Sequence, residues 1–409
     1  MSERDSIAAL GDWQDFTAGT IGRFAAGEMS PREEVWIELF PKRKTMVCSG
    51  CMKSVTRIHD SSERWIRDLP VWGADTYLLL HRRRVKCKRC GIGLEYIEWL
   101  EPYARVTKRL AESVARMCDV LPVKQVAEYF GLSWGSTKRI HKSRLKSEFD
   151  PIDLSGVTQI ILDEFAIQKG HRYATVVVDP ERRKVLWVGR GRGREDVRPF
   201  FELLGEEGCE ALKAVGMDMH APYEEEVRAH CPDTEIVYDL FHVVSKCGRE
   251  VIDRVRVDES NRLRTDKKAR KVIKGSRWLL LRNRENIKKE DDRIRLKELL
   301  GANKKLLTVY VLKDDLKHLW SYRARWAAER FWQQWYDRAI RSRIEPLKKF
   351  ARNLKARISG VLSHCEWPLH TSLIEGINNK IKVIKRMAYG FRDDEYFFLR
   401  IRSAFPGNR

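Results

Sequence analysis

The chain has 409 residues, is 43% hydrophobic and carries a net charge of +21, a length and composition that admit two to four globular domains. It contains no run of about 18 apolar residues, so no membrane span is expected. Its start, "MSERDSIAALGDWQ", lacks a basic stretch followed by an apolar one, so no secretory signal is expected either.

The charge is unevenly placed. Residues 1–250 hold 39 Lys and Arg against 39 Asp and Glu, whereas residues 251–409 hold 40 against 19, so the whole excess of 21 lies in the last two fifths. Such asymmetry points to a polyanionic partner, nucleic acid above all, rather than to a solvated surface of mixed sign. Four of the nine cysteines form two CxxC pairs and five (Cys118, Cys209, Cys231, Cys247, Cys365) are scattered. An odd count without a secretion signal indicates a reducing cytosol and no disulfide framework.

In chain order, residues 1–40 are weakly patterned and read as a helix followed by a strand at "EVWIELF". Residues 41–104 contain Cys48, Cys51, Cys87 and Cys90 in "VCSGC" and "VKCKRC". Two such knuckles can place four thiolates on one tetrahedral zinc ion, a structural site because no coordination position stays open. His59 and His81 lie nearby and fit surface or packing roles better than ligation. "TYLLLHRRRVKC" reads as the strand that feeds the second knuckle.

Residues 105–150 read as three helices, with Pro122 at the start of the second and "GLS" as the turn before a basic third, "WGSTKRIHKSRL". A helix, a short glycine-containing turn and a basic helix make a helix-turn-helix pattern. Ser136, Thr137, Lys138, His141 and Lys142 are its candidate DNA-facing residues.

Residues 151–250 alternate strand and helix: "VTQIILDEFAI", a hairpin turning at Asp179-Pro180, a helix, then strand–helix twice. That order is the one of a ribonuclease-H-like α/β domain, in which the first strand lies beside the fourth. Asp163 and Asp218 would then be neighbours, and two adjacent carboxylates repel unless a cation lies between them. Hard oxygen donors suit magnesium or manganese. Glu164 must face away from Asp163. Asp179 fits a turn. Asp239 is either a third acid or the cap of the next helix, and His242 stands one turn on.

Residues 251–369 read as basic, helical and tryptophan-rich. Trp332 and Trp335 are placed in a core rather than against flipped bases, since aromatics at helical spacing usually bury. In residues 370–409, "SLIEGINNKIKVIKRM" sets Leu373, Ile377, Ile381, Ile384 and Met387 in one apolar stripe. Glu375, Asn378, Asn379, Lys382 and Arg386 stand opposite. Ser372 and Glu375 also fit the S-x-x-E capping box, so Glu375 reads both as a cap and as a lone acid in a basic setting.

"LDEFAIQKGHRYATVVVD", "GRGREDVRPFFELL", "GMDMHAPY", "YDLFHV" and "SLIEGINNKIKVIKRMAYGFRD", preceded by paired CxxC motifs and "RWIRDLP", closely resemble insertion-sequence transposases of the ISL-three family. The resemblance runs from about Cys48 to Phe405. It implies a multidomain α/β protein: a zinc ribbon, a helix-turn-helix and a ribonuclease-H-like catalytic domain interrupted by an all-helical insertion. It implies a DDE triad of Asp163, Asp218 and Glu375 holding catalytic magnesium or manganese, with structural zinc at the four cysteines. Asp239, His242, Asn379, Lys382 and Arg386 would contact DNA or support the triad. The expected partners are the inverted-repeat ends and target DNA, bound by a homodimer or higher oligomer at the bacterial nucleoid. A binding-only regulator and a structure-selective nuclease are the rival readings.

Overall fold

The computed structural model describes residues 11–25, 32–168, 170, 172–369 and 372–408. The chain divides into two compact units, one of residues up to Asp150 with Met387–Tyr389, and one of Pro151–Arg386 with the residues from Gly390 onward.

The first unit is built on a sheet of β1 (Phe16–Phe24), β2 (Glu34–Pro41), β5 (Ile58–Val71), β6 (Ala74–Cys87) and β7 (Gly91–Leu94), with β3 (Met46–Val47) and β4 (Ser54–Val55) as a separate small pair. The helix expected early in residues 1–40 is not formed at Phe16–Phe24, which is a strand antiparallel to β2. Its buried Phe16 and Ala18 alternate with less buried neighbours, a period of two that only a strand can satisfy. The first ten residues lie outside those described. β2 runs parallel to β6, so strands from the first forty residues share a sheet with the cysteine-bearing segment.

Three helices follow, Lys108–Val120, Val123–Phe130 and Trp134–Phe149. Gly131 supplies the left-handed turn between the last two, with φ 61°, and a side chain there would meet Asp75 Oδ2 at 2.9 Å. Thr107 and Ser133 cap the first and third helices through their hydroxyls, which satisfies amide groups that a helix start leaves unpaired.

Two adjacent residues of β5 fasten this bundle to the sheet. Asp68, fully buried, accepts hydrogen bonds from Trp13 Nε1 (2.9 Å), Thr107 Oγ1 (2.6 Å), Arg109 Nε (2.7 Å) and its neighbour's amide at Leu69 (2.8 Å). Arg67 pairs with Asp75 at 2.7 Å and donates to the carbonyl of Phe130 at 2.9 Å. One side chain therefore holds the start of the first helix and the other holds the end of the second.

The second unit carries β8 (Gln159–Gln168), β9 (Arg172–Asp179), β10 (Lys184–Arg190), β11 (Ala214–Met217) and β12 (Glu235–Tyr238) in the order β10-β9-β8-β11-β12. β8, β9 and β10 are an antiparallel meander, and β11 and β12 run parallel to β8. The hairpin turns at Asp179, whose buried carboxylate accepts the amides of Glu181 and Arg182 at 2.9 Å.

Alternation along β8 sends Ile160 and Leu162 to a core that includes the Arg194–Ala211 and Ala221–His230 helices. Ile161 and Phe165 go to the opposite face, covered by Ile374, Ile377, Ile381 and Ile384 of the Ser372–Met387 helix and by Phe397 and Ile401 of Asp394–Ala404. The tract between β12 and Ser372 is helical. Trp332 and Trp335 stack there at 5.3 Å with Trp335 Nε1 donating to Leu312 O at 2.8 Å, both deep in the core as expected.

Burial by itself would raise the Asp68 carboxyl, but the hydrogen bonds from Arg109 and Thr107 outweigh it and hold the group below its ordinary value. A depressed acid contributes stability above the unfolded value of 3.8, and that stability is lost as pH falls through the folded value. Asp68→Ala leaves Arg109 without its buried partner and is expected to cost about 3–5 kcal/mol. Hydrogen exchange of the β5 and Lys108–Val120 amides should show lost protection at pH 7 and a shrinking difference from wild type in acid.

Candidate active site and metal centres

The parallel pairing sets the C-terminal ends of β11 and β12 beside the middle of β8. Asp163 sits in β8, Asp218 directly follows β11, and Asp239 directly follows β12. All three line one small cleft of about 30 Å³, together with His242, Leu369 and Ile374. That volume holds one or two water-sized particles. Glu164, one residue along β8, turns away and meets Arg192 at 3.4 Å.

Burial first, and then the charge of Glu164, push the Asp163 carboxyl up to about 6, against opposing hydrogen bonds from the Glu164 amide and the Asn378 side chain. His242 stands between two of these acids: its Nδ1 lies 3.6 Å from Asp218 Oδ2 and its Nε2 3.6 Å from Asp239 Oδ2. The Asp218 carboxylate foremost, and Asp239 and Asp163 after it, raise the imidazole above its ordinary value despite its burial. Asp239 fills the helix-capping role expected of it and also lines the cleft. Its Oδ1 caps the Leu240–Cys247 helix by accepting Phe241 N at 2.8 Å, and its Oδ2 faces His242.

Asp218 Oδ1 is buried without a hydrogen-bond partner. A buried carboxylate oxygen left this way carries a desolvation cost that a cation would remove. Two oxygen-bearing acids on neighbouring strands, one with a vacant lone pair, fit a hard divalent ion such as magnesium or manganese.

The packed face of the Ser372–Met387 helix keeps Ile377, Ile381 and Ile384 of the stripe expected and is turned by about 40°, less than half the step of one residue. Its buried residues are Ile374, Ile377, Ile381 and Ile384, while Leu373 is only partly covered and Met387 is exposed. Asn378 therefore sits at the edge of the packed face and donates from Nδ2 to Asp163 Oδ2 at 2.6 Å. Lys385, also at that edge, donates to the carbonyl of Ala166 in β8 at 2.8 Å. Asn379 is exposed and instead accepts from Lys382 at 3.3 Å. Asn378, and not Asn379, is thus the asparagine that touches the acids. The signal that could have found it is its spacing of four from Ile374.

Glu375 is exposed and does not line the cleft, although its neighbour Ile374 does. It lies three residues from Asn378, about 60° around the helix. Among the described residues no group of three carboxylates and histidines gathers as closely as the four cysteines do, so the three acids of the expected triad are not drawn together. Ser372 is the first described residue of this helix, and the preceding position 371 lies outside the described residues. Arg386 is exposed on this helix, as is Lys382.

The metal-binding thiolates are closer to completion. The ligand atoms of Cys48, Cys51, Cys87 and Cys90 lie within 4.8 Å of one another. Cys51 and Cys87 sulfurs are 3.6 Å apart, against about 3.8 Å for a tetrahedron with Zn–S bonds of about 2.3 Å. Backbone amides of Cys90 and Arg89 pull the Cys87 thiol down to about 6, which favours the thiolate a metal needs. Gly91 takes the left-handed φ of 75° after the second knuckle. At Gly50 a side chain would stand 3.3 Å from the Cys90 sulfur. His59 and His81 are outside the cluster, beside Asp60 and Glu38.

In the third helix of the first unit the expected DNA face needs correction. Thr137 and His141 are fully buried. Thr137 donates to Ser133 O at 3.1 Å and His141 Nε2 lies 3.0 Å from Asp119 Oδ1. Four-residue spacing puts both, with Leu145, on the side that packs against the bundle. Ser136, Lys138 and Lys142 stay partly accessible, and Trp134, Arg139 and Ser143 are exposed beside them. The Lys138 ammonium lies 5.5 Å from the Trp134 ring centre.

Residues 160–401 match a family model described as transposase, residues 44–90 one described as the zinc-finger of transposase IS204/IS1001/IS1096/IS1165, and residues 95–144 one described as the helix-turn-helix domain of transposase family ISL3. The chain is 48% identical over the full length of both proteins to a transposase for insertion sequence element IS1001 from Bordetella parapertussis. It is 24% identical to a transposase for insertion sequence element IS1557 from Mycobacterium tuberculosis, over 83% of this chain and 81% of that protein. No described helix is long and apolar enough to cross a membrane.

Two outcomes are expected from the metal centres. Purified protein should carry one zinc per chain by atomic absorption, and Cys87→Ser should lose it. Because the Asp163 carboxyl is raised, the folded chain keeps a proton between about pH 4 and 6 that the unfolded chain has released, and stability falls as pH rises through that window. In chelator at pH 7, Asp163→Asn should therefore be more stable than wild type, by up to about 2 kcal/mol, with no gain below pH 4. Calorimetry of the second unit's transition reads both.

Proposed function

The chain belongs to the ISL3 family of transposases, and on that premise we propose that it cuts and joins DNA at the ends of its insertion sequence through the cleft at Asp163 and Asp218. The observation that carries this reading is the buried, unpartnered oxygen of Asp218, just past the end of β11, in one cleft with Asp163 from the middle of the adjacent parallel strand β8. The strand order β10-β9-β8-β11-β12 is the one expected of a ribonuclease-H-like domain, and the helical tract between Tyr238 and Ser372 would be its insertion. Asp163 and Asp218 would hold magnesium or manganese, which when bound activates a water or 3′-hydroxyl and stabilises the leaving oxygen.

The protein's own groups have separable roles in this reading. Asn378 fixes the Asp163 carboxylate in one rotamer. His242 balances Asp218 and Asp239 and, with Asp239, would orient the phosphate or the acids. Glu375 would complete the site from the helix turn that also carries Asn378. Lys382 and Arg386, exposed one and two turns further along that helix, would meet the DNA backbone as point charges. The zinc ribbon and helix-turn-helix would read the inverted repeats, with Ser136, Lys138 and Lys142 on the accessible side of the third helix. A homodimer would hold two ends at once.

One observation favours a second reading, a binding-only regulator: Glu375 is exposed and outside the cleft. The two readings separate in one assay with the terminal repeats that flank the coding sequence. Asp218→Asn and Glu375→Gln should both shift repeat DNA as wild type does. With magnesium they should nick it at least 100-fold more slowly. Nicking by Asp218→Asn at the wild-type rate removes the assignment, and absence of metal-dependent nicking by wild type selects the regulator. Cutting without strand transfer would mark a nuclease instead.

A further inference from the structure

The Leu240–Cys247 helix begins at the acid cleft, and its second residue, Phe241, points elsewhere. Phe241 lines a separate cavity of about 620 Å³, a size typical of small-molecule sites. Trp278, on the short Arg277–Leu281 helix, lines it too. Both rings are largely bare, Phe241 at 69% and Trp278 at 67% exposure. Large aromatics left open in this way, in a protein that buries Trp332 and Trp335, mark a surface kept for a partner.

The cavity is a built feature. A glycine at 248 lets the two helices approach, since a side chain there would stand 2.9 Å from Leu281 Cδ2. Lys313, itself buried, donates to the carbonyls of Leu280 and Arg282 at 3.2 and 3.3 Å. It thereby fastens the end of the helix that carries Trp278, where carbonyl groups lack helical partners. Arg277 holds its guanidinium 5.3 Å from the Trp278 ring centre. Directly after Cys247 the chain makes a π-helical turn, Gly248–Asp253, a device found frequently at functional sites.

Charge selects the occupant. Five cations and no carboxylate line the cavity; Arg277, Arg282 and Lys317 pair with Asp253, Asp292 and Asp314 beside it, and among the described residues the exposed Arg249 guanidinium has no partner. An open cavity lined by two exposed aromatic rings and by cationic side chains fits a nucleobase and its phosphate. Asn283 and Asn286 offer amide edges for hydrogen bonds to the base. Phe241 and His242 are consecutive, so their Cα atoms are about 3.8 Å apart. The slot therefore adjoins the acid cleft.

We propose that this cavity receives one unpaired base of the DNA strand held in the acid cleft, with Phe241 and Trp278 as its stacking surfaces. The inference rests on the transposase reading of the cleft, and its test reads binding without cleavage. Full-length protein in chelator is titrated by fluorescence anisotropy against duplexes of its own terminal repeat. These are fully paired or carry a single unpaired thymine at successive positions around the cut. Wild type should prefer the unpaired duplex roughly tenfold at one or two positions. Phe241→Ala and Trp278→Ala should lose that preference and keep wild-type affinity for the paired duplex. Trp278→Phe should restore it, and Trp326→Ala, which removes another exposed ring, should leave it unchanged. Wild type without preference at any position overturns the proposal, as does preference retained in both alanine variants or lost equally in Trp326→Ala. A preference that appears in a protein unable to nick DNA with magnesium supports the slot and overturns the cleavage reading instead.

Discussion

Three carboxylates lining one cleft, one within β8 and two just past the ends of β11 and β12, cannot all stay ionised when half-buried unless something positive stands among them. The second unit is organised around that constraint. The crossover that sets β11 beside β8 creates the repulsion. His242 answers it from the first turn of a helix whose cap is itself one of the acids. The raised Asp163 carboxyl and the orphaned oxygen of Asp218 are what remains uncompensated. The protein thus holds a cleft whose electrostatics are unfinished, in a unit whose apolar cores on both faces of the sheet are otherwise complete.

Much of this was legible in the sequence because the chemistry was written in spacing. Four cysteines in two knuckles, the meander followed by two parallel strands, and the acids placed in or just after strands all follow from local pattern. Their neighbours were harder. Thr137 and His141 looked polar and therefore outward, but a polar side chain with a local partner can be buried, as both are. The stripe expected on the Ser372–Met387 helix holds at Ile377, Ile381 and Ile384 and fails at its ends, where Ile374 replaces Leu373 and Met387 is exposed. A stripe of five apolar residues on a helix with seven apolar choices does not fix its own centre, and only the packing of Ile374 against β8 and β9 does so. That small rotation decides which asparagine reaches Asp163.

Tryptophan divides in the same way. Helical spacing correctly sends Trp332 and Trp335 inside, where one indole nitrogen finds a carbonyl. It says nothing of Trp278, which stands in a five-residue helix too short to show a period. Its setting comes from residues far along the chain, Lys313 and Phe241, brought to it only by folding.

The two side chains of "RWIRDLP" that grip the bundle have a consequence for what DNA the first unit can recognise. Arg67 and Asp68 tie opposite ends of a helix pair to one strand, through Phe130 on one side and Thr107 and Arg109 on the other. With both ends fixed, the ribbon sheet and the third helix keep a constant separation. If, as in the proposed function, the ribbon and the third helix both touch the terminal repeat, such a reader would measure length as well as letters. Its two contact zones would have to fall a set number of base pairs apart and on a set side of the double helix, and a repeat lengthened by half a helical turn between them would keep all its letters and lose its binding.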